Sequence, residues 1–390
     1  MSERIRISDA EFAQRAVNLQ KSMADFGFDA VLCYGNEAEP QYVRYFSDYW
    51  PSFETAGVLV PREGKPYLLI GPESQTYATD RSRIADIRLL KAFRESSEPE
   101  YPGKPLDTFA SVFDELGFRP TKIGVAGLPL MTIGVWNALV EYMGDASAIV
   151  KADALVNELR MHKTETELAC MREAARITRL TFDAVIPQLH VGMTEQQVVG
   201  LALGEMHRLG AERESYPLWV LTGKGGDQAI SRPRAKKIEK GDLTFLQFGA
   251  RYEGYASSIG RAVVFGKADE YQRKLIECGY AAQNAVLANI RAGVPAAEIA
   301  RIHEETVKGL GFGDHLLYGP CHGNGLMEGE APWIETNSDY LLEENMTFCL
   351  DIFLGTSKTG FGLRMEDVIR VTKDGVENLT AYPQKLWEIE

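Results

Sequence analysis

Along the first 150 residues, helix-like and strand-like patterns alternate. A helix-like stretch from Asp9 to Phe26 leads into the apolar run Ala30-Val-Leu-Cys-Tyr, and short strand candidates follow at Ala56 to Val60 and Tyr67 to Ile70. A helix around Leu106 to Leu116, a strand at Lys122 to Val125 and a helix over Ile133 to Tyr142 continue the series. Such alternation predicts an α/β domain over residues 1–150. The pattern changes near Asp153. One long amphipathic helix is predicted from Asn157 to about Gln188; Pro187, Gly192 and the Thr194 cap end it and start the next, which runs to Leu209. Hairpin strands are predicted over 243–265, helices over about 268–291 and 295–310, and mostly strand and turn thereafter. Residues 151–390 therefore read as a second domain, as a chain of this length suggests.

Composition narrows the class. The 390 residues are 45% hydrophobic and 25% charged, which is ordinary for a globular protein. No apolar run approaches the ~18 residues of a membrane span. The polar start, MSERIRISDAEFAQR, lacks the apolar core of a secretory signal. Five scattered cysteines (Cys33, Cys170, Cys278, Cys321, Cys349) without paired spacing fit reduced thiols in a cytoplasm. A net charge of −13 argues against nucleic acid and anionic membranes as partners. A small-molecule substrate is the partner expected.

The chemistry lies in the second half. Residues 242–267 read DLTFLQFGARYEGYASSIGRAVVFGK, framed by Gly241-Asp242, Gly249, Gly254-Tyr255 and Arg261. This frame resembles the metal-binding strand of the pita-bread superfamily, which holds methionine and Xaa-Pro aminopeptidases, prolidase and creatinase. There, Gly-Asp-hydrophobic-Asp-x-Gly is followed by Gly-Tyr-x-Ser-Asp-x-x-Arg. Three later segments resemble the same family in the same order: Gly319-Pro-Cys-His-Gly-Asn-Gly-Leu with Glu330-Ala-Pro-Trp, then Asn345-Met-Thr-Phe-Cys-Leu-Asp-Ile, then Gly362-Leu-Arg-Met-Glu-Asp. The resemblance implies an α+β chain with a C-terminal pita-bread domain over residues 151–390. A smaller α/β N-terminal domain of the creatinase and prolidase type precedes it.

The resemblance also shows what has changed. Two carboxylate slots of the metal strand hold Gln247 and Ser258, and a neutral amide or hydroxyl cannot supply the charge two divalent cations need. His322, Asp351 and Glu366 fall in the remaining ligand slots, Asp351 one methylene shorter than the usual glutamate. The expectation is a metal-independent protein without cofactor; the alternative is a single divalent ion held by His322, Asp351 and Glu366. As an enzyme, the chain would use His322 as acid and base, with Glu366 and Asp351 as its partners. Gln247, Ser258, Glu330 and Arg364 are candidate substrate contacts, and Arg261 is read as a structural ion-pair residue. In creatinase, a loop of the N-terminal domain covers the neighbouring subunit's site. The matching stretch here, Ser47 to Gly57, offers Phe53 and Glu54, which implies a homodimer.

Creatine itself is an unsuitable substrate. The slot of creatinase's catalytic histidine holds Ile230, and that of its guanidinium-binding glutamate holds Gly260. Three functions are open. The first is a creatinase-like hydrolase of an amide or amidine C–N bond in a small nitrogenous compound, in the cytoplasm. The second is an Xaa-Pro dipeptidase or aminopeptidase with a degenerate mononuclear metal site, and the third is a non-catalytic binding protein.

Overall fold

The computed structural model describes residues 4–390, and the chain divides into two compact units, Ile7–Arg160 and a larger one formed chiefly by Met161–Glu390. In the first, a six-stranded sheet runs in the order 87–89, 67–70, 56–61, 30–35, 123–126, 149–151. Its central strand, Ala30–Gly35, pairs antiparallel with Ala56–Pro61 and parallel with Ile123–Ala126. Both central strands are apolar because both faces are covered; Leu32, Leu59, Phe93, Phe113, Val125 and Leu139 share one core. The helix expected from Leu106 begins only at Phe109. Thr108 and Ser111 form a capping box there, fixing the helix start.

The long helix expected over 157–188 is two helices, Asp153–Met161 and Glu165–Val185. The cause is local: Thr164 accepts the Glu167 N–H while the Glu167 side chain accepts the Thr164 N–H, so the chain caps a new helix within its Thr-Glu-Thr-Glu run. Beyond it, a sheet follows the order 330–334, 321–323, 347–356, 361–371, 259–265, 243–248, 219–222. These neighbours are all antiparallel.

Alternation along the long strands Thr347–Thr356 and Phe361–Val371 sorts their side chains onto two faces. Phe348, Leu350, Ile352, Leu363 and Met365 join Leu275, Ile276, Val286 and Ile299 in the core. The helix Glu270–Asn289 packs on this side of both strands. Asp367 also points this way, where Arg261 meets it at 3.0 Å and Gln283 and Thr380 donate to it. Arg261 is wholly buried and donates also to the carbonyls of Gly260, Glu366, Tyr382 and Pro383. It is the structural ion-pair residue expected.

The opposite face gathers the polar residues. Register sets Asp351 beside Glu366 and Phe353 beside Arg364; it also places Gly260 between Glu366 and Gln247, and His322 beside Cys349. At Gly260 a Cβ would stand 3.0 Å from both the Glu366 Cβ and the Arg364 carbonyl oxygen. The missing side chain lets Gln247 reach Glu366 across the strand between them.

Candidate active site

His322, Glu328, Cys349 and Glu366 converge on this face, each offering a ligand atom within 4.8 Å of the others. His322 comes from the short strand Cys321–Gly323, Cys349 and Glu366 from the two long strands, and Glu328 from the glycine-rich turn after His322. His322 Nε2 stands 3.8 Å from Glu328 Oε1. Glu366 is fully buried; one carboxylate oxygen accepts the Gln247 amide and the other has no donor. Burial first, then the adjacent Glu328 and Asp351 charges, raise the Glu366 carboxyl well above the usual range. Burial likewise raises Glu328. The Cys349 thiol is pushed up by burial and then by Glu366.

Asp351 lies beside that group, opposite Glu366 in the strand register. Its carboxylate faces Arg364 Nε at 3.2 Å and accepts the Tyr318 hydroxyl at 2.8 Å. Arg364 donates its hydrogen bonds to Gln247 Oε1 at 2.9 Å, the Tyr318 hydroxyl at 2.6 Å and the Ala229 carbonyl at 3.0 Å, and lies over the Trp219 ring. Burial alone would lower the guanidinium's pKa, but Asp351 and Tyr318 hold it raised. Of the expected His322–Asp351–Glu366 set, the structure groups His322 and Glu366 with Glu328 and Cys349, while Asp351, opposite Glu366 in register, forms an ion pair with Arg364.

The other candidates scatter. Gln247 lies at the centre, bridging Glu366 and Arg364. Ser258 is buried and hydrogen-bonds the Tyr216 hydroxyl at 2.9 Å. Glu330 is buried, 3.4 Å from Lys163, and accepts the Met327 N–H, which gives it a structural role in the turn. Glu54 belongs to the other unit, where it is buried and accepts the N–H groups of Glu73 and Ser74. Its carboxylate is thereby committed to holding that turn. Phe53, also in that unit, is 84% exposed.

A cavity of about 350 Å³ opens onto the site, with His322, Glu328, Asp351 and Arg364 in its wall. Trp219, Ile230, Leu317, Tyr318 and Trp333 give it an apolar lining, and Glu335 adds a further carboxylate. Its size and mix of apolar wall with few polar groups suit a small ligand. Two donor residues escaped the sequence reading although signals existed. Glu328 shares a glycine-rich turn with His322, six positions on; Cys349 lies two positions before Asp351 and so on the same strand face.

Comparison with known proteins fits this geometry. The model of metallopeptidase family M24 matches residues 169–373. The chain is 27% identical to the Xaa-Pro dipeptidase of Pyrococcus furiosus over 377 residues, 96% of this chain and 99% of that one. It is 30% identical to an uncharacterized peptidase of Staphylococcus haemolyticus over 243 residues, 62% of this chain and 67% of the relative. Among solved structures, an Xaa-Pro dipeptidase from Bacillus anthracis superposes with a TM-score of 0.82 at 24% identity, covering 97% of this chain and all of that one. An X-Pro aminopeptidase from Thermotoga maritima gives 0.83 at 23%, covering 96% and 99%. The pita-bread fold with its N-terminal domain is the shared architecture.

These findings overturn two expectations, that the chain is metal-independent and that it takes no cofactor: the matching family is one of metallopeptidases, and four metal-ligating side chains converge. The donors present fit one ion. Histidine nitrogen, two carboxylates and a thiol are a usual set for a divalent transition metal, and the donorless buried oxygen of Glu366 is a lone pair awaiting one. They do not fit a second: Gln247 and Ser258 are neutral, and Asp351 is neutralised by Arg364. Among the described residues no helix is long and apolar enough to cross a membrane.

Proposed function

This chain belongs to metallopeptidase family M24, and from that membership we propose that it hydrolyses the amide C–N bond of a small, peptide-sized substrate with one divalent ion. Xaa-Pro dipeptides are the first substrates to test, since the relatives matched over nearly their whole length carry that name. The observation that carries the reading is the convergence of His322, Glu328, Cys349 and Glu366 on a cavity of peptide size.

His322, Glu328 and Glu366 would hold the ion. A bound divalent cation supplies Lewis acidity and an activated water near neutral pH. The chain's own residues do the rest. Glu328 and Glu366 each have a second carboxylate oxygen besides the one offered to the ion, and such an oxygen would receive the proton lost by water and return it to the leaving nitrogen. Arg364 fixes Gln247, Asp351 and Tyr318 in one network, and Gln247 in turn orients the Glu366 carboxylate. The apolar wall of Trp219, Tyr318 and Trp333 excludes bulk water around the scissile bond.

A second reading, an amidine or related C–N bond in place of a peptide bond, is favoured by Gln247 and Ser258. They remove the second ion on which the family's two-metal site depends. Metal analysis of the purified protein, followed by assays on alanyl-proline and a panel of small amides and amidines, tests both. One ion per chain, with hydrolysis abolished by a chelator and restored by the metal, is expected. Two tightly held ions per chain, or an unchanged rate after removal of the metal, would sink the proposal.

A further inference from the structure

We infer that Glu335 makes the cavity selective for a substrate bearing a positive charge, an ammonium or amidinium group. The inference rests on the reading of this cavity as the substrate site and names the substrate class it takes. The carboxylates facing the cavity are Glu328, Asp351 and Glu335. Asp351 is paired with Arg364, and Glu328 belongs to the donor group around His322. Asp351 has Arg364 and Glu328 has His322 within ion-pair distance, whereas Glu335 has neither a cationic side chain nor a histidine there among the described residues. With one divalent ion balancing Glu328 and Glu366, and Arg364 balancing Asp351, one negative charge is left over. It is that of Glu335.

This carboxylate is fixed in place. Both of its oxygens accept the Gly319 N–H, at 3.2 and 3.1 Å. Gly319 makes the approach possible, since a Cβ there would stand 2.7 Å from Glu335 Oε2 and 2.2 Å from the Ile334 carbonyl oxygen. The Glu335 backbone N–H is tied in turn to Ser338 Oγ at 2.9 Å. A partly buried carboxylate held rigidly without a counter-charge is unfavourable until a ligand brings one. Trp333, two residues earlier in the same wall and 51% exposed, offers an indole face to the same ligand cation. The Trp219 ring, by contrast, is already covered by Arg364.

Benzamidinium and benzamide, alike in shape and different in charge, test this by isothermal titration calorimetry on the intact protein. Benzamidinium should bind at least about tenfold more tightly, as a charge-assisted contact implies. Glu335→Gln keeps an acceptor for the Gly319 N–H, so the variant should stay folded and lose the discrimination, leaving benzamide affinity unchanged. Equal affinity of the two probes for the unaltered protein overturns the inference, whatever the variant does. So does a preference that survives in Glu335→Gln. Neither titration requires turnover. A charge preference without hydrolysis of any amide or amidine therefore overturns the functional reading alone, whereas hydrolysis of neutral and cationic substrates at equal kcat/KM overturns the role of Glu335.

Discussion

Replacing Asp351 by asparagine separates an ion-pair partner from a metal ligand. In the native site Asp351 is 3% exposed and is the only acid against the Arg364 guanidinium among the ion pairs of the described residues. Removing one partner of a buried pair typically costs about 3–5 kcal/mol, because the surviving charge is stranded. Asparagine keeps an oxygen to accept the Tyr318 hydroxyl, and Arg364 keeps Gln247, Ala229 and Tyr318. The cost should fall at or just below the low end of that range, about 2–3 kcal/mol. For a unit the size of Met161–Glu390, each kcal/mol lowers Tm by about 2–4 °C. Thermal unfolding followed by circular dichroism should therefore show a drop of about 4–12 °C. Metal content measured on the same sample should stay at one ion per chain, since the ion is assigned to His322, Glu328 and Glu366. A variant that unfolds at the native temperature but has lost its ion would place Asp351 among the ligands and refute the reasoning.

Glu366→Gln should behave in the opposite way, losing the ion and hydrolysis at least 100-fold in rate (about 2.7 kcal/mol at 1.36 kcal/mol per decade), while its metal-free form unfolds at or above the temperature of the metal-free native protein, because a buried acid with a raised pKa is removed. Elemental analysis beside a melting curve checks it, and full metal occupancy would count against the assignment. His303, buried in the helix Ala296–Gly309, is held at about 4 rather than 6.5 by desolvation, against the upward pull of Asp351 and Glu304. The fold favours its neutral form, so this contribution is complete above pH 6.5 and is lost as the pH falls from 6.5 to 4. The loss is about 3 kcal/mol over that window; His303→Gln should flatten the acid limb of a urea-stability profile there, and an unaltered limb would contradict it. The exposed apolar side chains Ile230 and Leu317 at the cavity rim fit cover by a second copy, and light scattering at micromolar concentration should report a dimer; a monomer would remove that proposal.

Motif order made the fold legible, because a sheet whose polar face is set by register leaves its residues at fixed sequence offsets. His322, Gln247, Arg364 and Glu366 are candidates on that ground, and the register of the sheet's strands puts them on one surface. What could not be read was how charges pair across that surface. Asp351 and Glu366 sit directly opposite each other, and nothing in their spacing says that Arg364, on the next same-face position, turns to one of them while Gln247 turns to the other. That choice depends on Tyr318, which comes from a loop and bridges Arg364 to Asp351. Glu328 was missed for a related reason. It belongs to a turn, where side-chain direction follows backbone dihedrals rather than strand alternation. Its neighbour Glu330, on a strand, looked the better candidate and proved to be paired with Lys163. That two carboxylate slots hold the neutral Gln247 and Ser258 is visible in sequence; it suggested an absence of metal, which membership of a metallopeptidase family overturns, and the proposed single ion makes it a change in number. Arg364 takes up the charge of Asp351, while one oxygen of the buried Glu366 keeps no hydrogen-bond donor.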